Sequence, residues 1–125
     1  MKPPGEATIL RLWREVVLVK FGRHCAFCGS TQLHIVDCHH IVRRDNLMLK
    51  YDWRNGIPLC RYSCHRFGET KAGREKIAEI MGDGRMAYLN GFKNKLLKSH
   101  LSEIGMGYDE FIFNQVLELK REVSR

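Results

Sequence analysis

Four of the five cysteines form two closely spaced pairs that can bind one metal ion together. Two residues separate Cys25 from Cys28, and three separate Cys60 from Cys64. Tetrahedral zinc takes four soft ligands at about 2.3 Å, and a shell of four thiolates leaves no position open for a substrate. The spacing therefore predicts a structural Zn²⁺ site bound by these four cysteines.

Other assignments of the cysteines follow from the same residues. His24 or His65 can take the place of one cysteine as a zinc ligand. A reducing compartment favours metal ligation over disulfides for such pairs. Cys38 is then left over, between Val36 and His40 on one face of a predicted strand, and we expect it to be a small buried hydrophobic residue.

A second site is indicated by the series His39, His40, Asn55 and His65. Neighbouring residues of a strand point to opposite faces, so His39 and His40 can have different roles. A neutral histidine, with a reference pKa of about 6.5, can accept a proton from water near neutral pH. A divalent ion bound by two imidazoles keeps open positions and can act as a Lewis acid on a phosphodiester. The series therefore indicates hydrolytic metal chemistry.

Hydrophobic periodicity predicts the elements that position these groups. We expect an amphipathic helix over about 8–21, capped by Thr8 and closed by Gly22. The helix is followed by a predicted strand from Leu33 to Ile41, a charged and aromatic loop over 43–54, and a second strand over 56–60.

The second half of the chain is predicted to be helical. One helix begins near Cys64 or His65 and ends at about Met81, where glycines interrupt it. Another spans about 85–99, residues 102–107 connect, and Asp109 caps a last helix that ends at about Glu122.

Taken together, four motifs resemble the HNH endonuclease family. They are Cys25-x2-Cys28, Asp37-Cys38-His39-His40-Ile41, Asn55-Gly56-Ile57-Pro58-Leu59-Cys60 and Cys64-His65. The resemblance covers about residues 25–70. It implies an α+β fold, with a ββα-metal (HNH) core and structural zinc, flanked by N-terminal and C-terminal helices. We expect one nuclease domain over 1–125, with a helical extension over about 84–123. The wider layout is also similar to phage NinG-like recombination proteins.

The resemblance also implies a role for each matching residue. His39 and His65 bind a catalytic divalent ion, which is Mg²⁺, Mn²⁺, Ni²⁺ or Zn²⁺. His40 is the general base that activates water, and Asn55 holds the loop that carries it. The reverse assignment of His39 and His40 fits the same motif. The second cysteine pair is spaced by three residues where two are commoner, which bears on where the helix places His65.

The charge balance points to a polyanionic partner. The formal net charge is +7, from 21 basic and 14 acidic residues, and nucleic acid is the usual partner of such a protein. We expect Arg43, with Arg44, to contact phosphates and Arg43 to take part in catalysis. Tyr51 and Trp53 either stack on bases or pack the loop against the core. No groove-reading motif is present.

These features define a leading hypothesis and its alternatives. The leading one is a metal-dependent HNH endonuclease that hydrolyses DNA phosphodiester bonds. A catalytically inactive zinc-finger-type DNA-binding module is the main alternative, and a structural interaction domain is the third. We expect no membrane span and a cytoplasmic location, in a bacterial or phage-infected host cell. The sequence leaves the oligomeric state open.

Overall fold

The architecture is a small hairpin surrounded by helices. A computed structural model of the chain describes residues 2–124. Its elements are α1 (Glu6–Phe21), β1 (Val36–His40), β2 (Gly56–Cys60), α2 (Ser63–Gly68), α3 (Lys71–Met81), α4 (Asp83–Phe92), α5 (Leu97–Ile104) and α6 (Tyr108–Val123), with 3-10 turns at Leu33–Ile35 and Trp53–Asn55. No helix of the described residues is long and apolar enough to cross a membrane.

The hairpin and the helix after it form the predicted ββα unit. β1 and β2 are antiparallel, and the register runs from Val36 opposite Cys60 to His40 opposite Gly56. Because β1 and β2 form a sheet of two strands, Pro58 interrupts no ladder on a second side. α2 begins three residues after β2 and packs against it. The expected α+β class, with flanking helices, is confirmed.

The first and last helices share one hydrophobic cluster. Its buried members are Ile9, Trp13, Val16, Val17, Tyr51, Ile112, Val116 and Leu119. α1 also lies directly on β2. A Cβ atom at Gly56 would come within 2.4 Å of Val17 and 2.8 Å of Trp13, so only glycine allows this approach.

Two further clusters support the hairpin and the loop. One surrounds the cysteine pairs and contains Cys25, Val36, Ile57, Leu59, Cys60 and Ile77. The other lies under the loop between the strands and contains Met48, Leu49, Leu89 and Leu97. The loop that leads from β1 to β2 is therefore packed against α4 and α5.

The single helix predicted from Cys64 or His65 to Met81 is wrong. It is two helices, α2 and α3, that meet at Glu69 and Thr70. The Thr70 side chain accepts a hydrogen bond from the Gly73 backbone N–H at 3.0 Å and so caps α3. A Cβ at Gly73 would lie 1.8 Å from the Phe67 carbonyl oxygen, which shows how closely the two helices meet.

Other predicted boundaries also change. α1 begins at Glu6, after Gly5, so Thr8 lies inside the helix. Its end at Gly22, with φ of 123°, is as expected. Residues 33–35 form a 3-10 turn, and the strand begins only at Val36.

The helix predicted over 85–99 is wrong as well. α4 ends at Phe92, and α5 begins at Leu97. Because α5 ends at Ile104, the connector predicted over 102–107 begins only after that residue. α6 begins at Tyr108, so Asp109 lies in its first turn and is not its cap.

Candidate metal centres

The four cysteines of the two pairs converge. The Sγ atoms of Cys25, Cys28, Cys60 and Cys64 all lie within 4.8 Å of one another, and those of Cys28 and Cys60 are 3.3 Å apart. Two sulfurs bound tetrahedrally at about 2.3 Å from a zinc ion lie about 3.8 Å apart. The donor set and its spacing therefore fit a four-cysteine zinc site.

The turn that carries the first pair is prepared for thiolates. The backbone N–H groups of Cys28 and Cys60 donate to the Cys25 Sγ at 3.5 and 3.3 Å. Burial raises the pKa of Cys25, but these backbone amides outweigh it and the pKa falls to about 6. Burial, with the neighbouring thiols, raises the pKa of Cys60 to about 12. A divalent cation is what allows all four to ionise together.

A second cluster of possible ligands contains His39, His65 and Glu69. His39 Nδ1 is 3.2 Å from His65 Nε2, and the two rings are perpendicular. Two nitrogens that share a metal ion at about 2.0–2.1 Å stand about 3.0–3.4 Å apart. The three-residue spacing of the second cysteine pair thus leaves His65 beside His39. Burial, and then the nearby His65, lowers the pKa of His39 to about 4, so its ring is neutral and able to bind a cation.

Glu69 completes this cluster and was missed in the sequence. Its carboxylate lies within 4.8 Å of the ligand atoms of His39 and His65, and its Oε1 is 3.8 Å from His65 Nδ1. The break after α2 brings Glu69 to that helix's C-terminal cap. The spacing of four residues between His65 and Glu69 was the available signal, because such residues share one face of a helix.

His40 contacts other groups than His39, its neighbour on β1. Its Nε2–H donates to the Lys50 carbonyl oxygen at 2.9 Å, which leaves Nδ1 as the proton acceptor. Trp13 stacks on the ring, with centroids 4.1 Å apart and planes 7° from parallel. Burial lowers the pKa of His40, and the charges of Arg44 and Lys50 add to this, although the hydrogen bond to Lys50 opposes it. The ring is therefore neutral at pH 7.

Asn55 is the one polar residue among the fully buried side chains of the described part. Its Oδ1 accepts from the Val42 N–H at 2.7 Å, and its Nδ2 donates to the carbonyls of Val42 and Leu49 at 2.9 and 3.2 Å. The side chain thus ties both ends of the segment 42–49 to the start of β2.

The two histidine positions open into one cleft. Its volume is about 820 Å³, and its lining includes His39, His40, His65 and Glu69. Arg43 also lines it, is exposed, and makes no side-chain hydrogen bond or ion pair within residues 2–124.

Most other cations near the hairpin are internally paired. Arg44 and Lys50 both bind Glu6 at the start of α1, at 2.7 and 3.0 Å. Arg61 pairs with Asp37. Arg43 thus differs from Arg44, its neighbour in the predicted pair, in being free to bind an anion.

The aromatic segment and the fifth cysteine pack inward. Tyr51 is buried in the cluster shared by α1 and α6, and Trp53 packs against that cluster. Of the two roles expected for these aromatic residues, packing of the loop against the core is the one observed. Cys38 contacts the Arg14 carbonyl oxygen through its Sγ at 3.8 Å, and burial raises its pKa to about 12. His24 lies outside the cysteine cluster found among the described residues.

Comparison with known proteins identifies part of the chain. Residues 25–68 match the family model of the HNH endonucleases, which is about a third of the chain. Among the curated proteins and among the solved structures, no match was found. The matched segment contains all four clustered cysteines, both strands of the hairpin, Asn55 and His65. Residues 25–68 of this chain are thus the segment that is similar to the HNH endonucleases.

Proposed function

We propose that the protein is a metal-dependent endonuclease that hydrolyses DNA phosphodiester bonds. The observation that carries the proposal is the 3.2 Å approach of His39 Nδ1 to His65 Nε2 in the cleft that His40 also lines. A structural zinc finger needs neither group, because four cysteines already complete its shell.

The proposed base is His40. Its Nε2–H is held by the Lys50 carbonyl and its ring is fixed by Trp13, so Nδ1 has one orientation relative to the cleft. A water molecule in the cleft loses its proton to Nδ1 as its oxygen attacks phosphorus, and the 3′ or 5′ oxygen of the broken ester leaves. Asn55 is the proposed positioning residue for this base. It holds Val42 and Leu49, and the next residue, Lys50, accepts the hydrogen bond from the His40 ring.

His39 and His65 would hold a divalent ion, with Glu69 as a further ligand or as the group that orients His65. When bound, such an ion stabilises negative charge on the phosphate and on the leaving oxygen. Mixed imidazole and carboxylate donors accept Mg²⁺, Mn²⁺, Ni²⁺ or Zn²⁺. Arg43 is proposed to bind the same phosphate, since it lines the cleft and has no internal partner.

We further propose that residues 1–125 act as one domain, since α1 and α6 share a core with the loop of the HNH segment. A net charge of +7 supports sequence-independent contact with DNA phosphates. A cytoplasmic location in a bacterial or phage-infected cell is proposed because a reducing compartment keeps the four thiols available to zinc.

The test is cleavage of supercoiled plasmid by purified protein across a series of Mg²⁺, Mn²⁺, Ni²⁺ and Zn²⁺. Loss of a positioned general base typically costs 10²–10⁴-fold in rate. We expect His40→Ala to lose roughly that much activity, while its DNA affinity and zinc content match the wild type. The matched control is His34→Ala, which replaces an exposed histidine outside the cleft.

Wild-type protein that binds DNA but leaves plasmid intact with every metal would support the inactive zinc-bearing DNA-binding module. Full activity of His40→Ala would remove His40 as the base and favour the reversed roles of His39 and His40.

A further inference from the structure

A second cavity lies beside the proposed catalytic cleft. It has a volume of about 350 Å³ and is formed between residues 41–46 and α4. Ile41 and Arg43 line both this cavity and the cleft. If a DNA strand binds with one phosphate in the cleft, its next nucleotide can therefore reach the cavity.

The lining of the cavity has an apolar part. Ile41, Val42 and Met86 contribute to it, and all three pack against the buried cluster under the loop. At about 350 Å³ the space is at the small end of ordinary ligand sites. An apolar lining that includes a polarizable methionine side chain favours contact with a planar ring.

The polar side chains around this apolar part, other than that of Asn46, have no partner among the described residues. The side chains of Asp45, Asn90 and Lys93 make no hydrogen bond or ion pair inside the described chain, and neither does that of Arg43. A carboxylate accepts from an exocyclic amino group, and an amide both donates and accepts. The two cations suit the flanking phosphates. This combination fits the edge of a base and its backbone.

The walls of the cavity are held together by Asn46. Its Nδ2 donates to the carbonyls of Phe92 and Lys93, both at 3.0 Å, and its Oδ1 accepts from the Leu49 N–H at 3.2 Å. The loop and the C-terminal end of α4 are therefore joined, and the space between them is preformed. A preformed site lowers the cost of ordering on binding.

We propose that this cavity binds one unpaired nucleobase of the DNA strand, next to the phosphate in the cleft. The proposal rests on the proposed function and adds a substrate class to it. A base in a duplex must be extruded to enter, at a cost of a few kcal/mol that is least when the base is already unpaired. The protein therefore prefers DNA with an unpaired nucleotide, and α4, outside the HNH segment, provides that preference.

The experiment measures DNA binding without added divalent ion, so that it does not depend on cleavage. Two duplexes are compared, one fully paired and one with a single unpaired 2-aminopurine. Wild-type protein is expected to bind the second about tenfold more tightly, which is a typical gain for stacking one base, and to change its fluorescence. Asn90→Trp fills the cavity from an exposed position, and Asn90→Ala removes the free amide.

We expect Asn90→Trp to lose the preference and the fluorescence change, with binding to paired DNA unchanged, and Asn90→Ala to lose part of both. Asn94→Trp, exposed and outside the cavity, is the control and keeps both. Equal binding of the two duplexes by a wild-type protein that cleaves plasmid would overturn this proposal alone. Binding to neither duplex would overturn it together with the proposed function.

Discussion

The two candidate metal centres lie on one hairpin but differ in how far their ligand shells are complete. The cysteine cluster has four donors of one kind within 4.8 Å, supported by backbone N–H groups and by a buried apolar cluster. The histidine cluster has two imidazoles and an exposed carboxylate, and it opens into a cleft of about 820 Å³.

This difference separates stability from chemistry. A closed shell of thiolates leaves no coordination position for a substrate, so its ion contributes to folding. An incomplete shell leaves positions that a phosphate and a water molecule can occupy. The same hairpin therefore carries one candidate centre with a complete ligand shell and one with an incomplete shell.

We expect the largest effect from a substitution in the cysteine cluster. Cys25→Ser removes the thiolate that receives two backbone N–H groups, and structural zinc is worth about 10 kcal/mol or more to small metal-dependent folds. We expect the protein to lose zinc and to unfold. Metal analysis and circular dichroism measure both. Cys38→Ser is the matched control, since Cys38 lies outside the cluster, and it should retain zinc. A folded, zinc-free Cys25→Ser protein would refute the structural role.

A smaller effect is expected at the link between the two centres. Asn55→Ala leaves the Val42 N–H and the carbonyls of Val42 and Leu49 without their partner. Each unsatisfied buried group costs about 1–3 kcal/mol, so we expect a loss of about 3 kcal/mol in the free energy of unfolding, measured by urea denaturation.

Zinc content should not change in Asn55→Ala, because the cysteine shell is intact, while cleavage should fall with the displaced loop. Asn94→Ala, at an exposed position, should match the wild type in all three measurements. Normal stability of Asn55→Ala would show that the loop is held by other contacts.

The open centre should respond more weakly to loss of one donor. Glu69→Gln is expected to reduce affinity for the second divalent ion by about 10- to 100-fold, whether Glu69 binds the ion or orients His65. Titration of the zinc-loaded protein with Mn²⁺ measures this. Glu79→Gln, exposed on α3, is the control. Equal Mn²⁺ affinity of the two variants would remove Glu69 from the centre.

The smallest effect concerns pH. Burial lowers the pKa of His40 below its ordinary 6.5, with Arg44 and Lys50 contributing. Only the unprotonated ring accepts a proton, so kcat/KM should hold as pH falls through 6.5 and decline only at the lower pKa of the folded protein. Arg44→Gln removes a positive charge and should move that decline to higher pH. Arg66→Gln is the control. An unmoved decline in Arg44→Gln would show that Arg44 has no such influence.

The sequence predicted the cysteine cluster well because its signal is local. Two pairs of thiols at short spacing restrict the possible geometry before any packing is considered. The same holds for His39 and His40, since neighbours on a strand are expected to have different partners. The ββα arrangement was predicted from motif resemblance, and the hairpin register that aligns His40 with Gly56 agrees with it.

What the sequence did not predict depends on contacts between distant segments. The break at Thr70 requires Gly73 to fit against the Phe67 carbonyl, and that contact between two helices leaves no signal in the helical period. The contact of Trp13 with His40 joins residues 27 positions apart and leaves no periodic signal in the sequence. Lys93–Leu96, where the helix over 85–99 fails, contains neither glycine nor proline.

The glycine at position 56 has a consequence for any attempt to reduce the protein to its smallest active unit. Because no side chain stands there, α1 lies on β2 and brings Trp13 onto the His40 ring. A fragment cut to the family's segment, residues 25–68, would keep every proposed zinc ligand and the proposed base. It would nonetheless lack the Trp13 indole that stacks on His40, so the unit that holds the proposed base extends N-terminally beyond the matched segment.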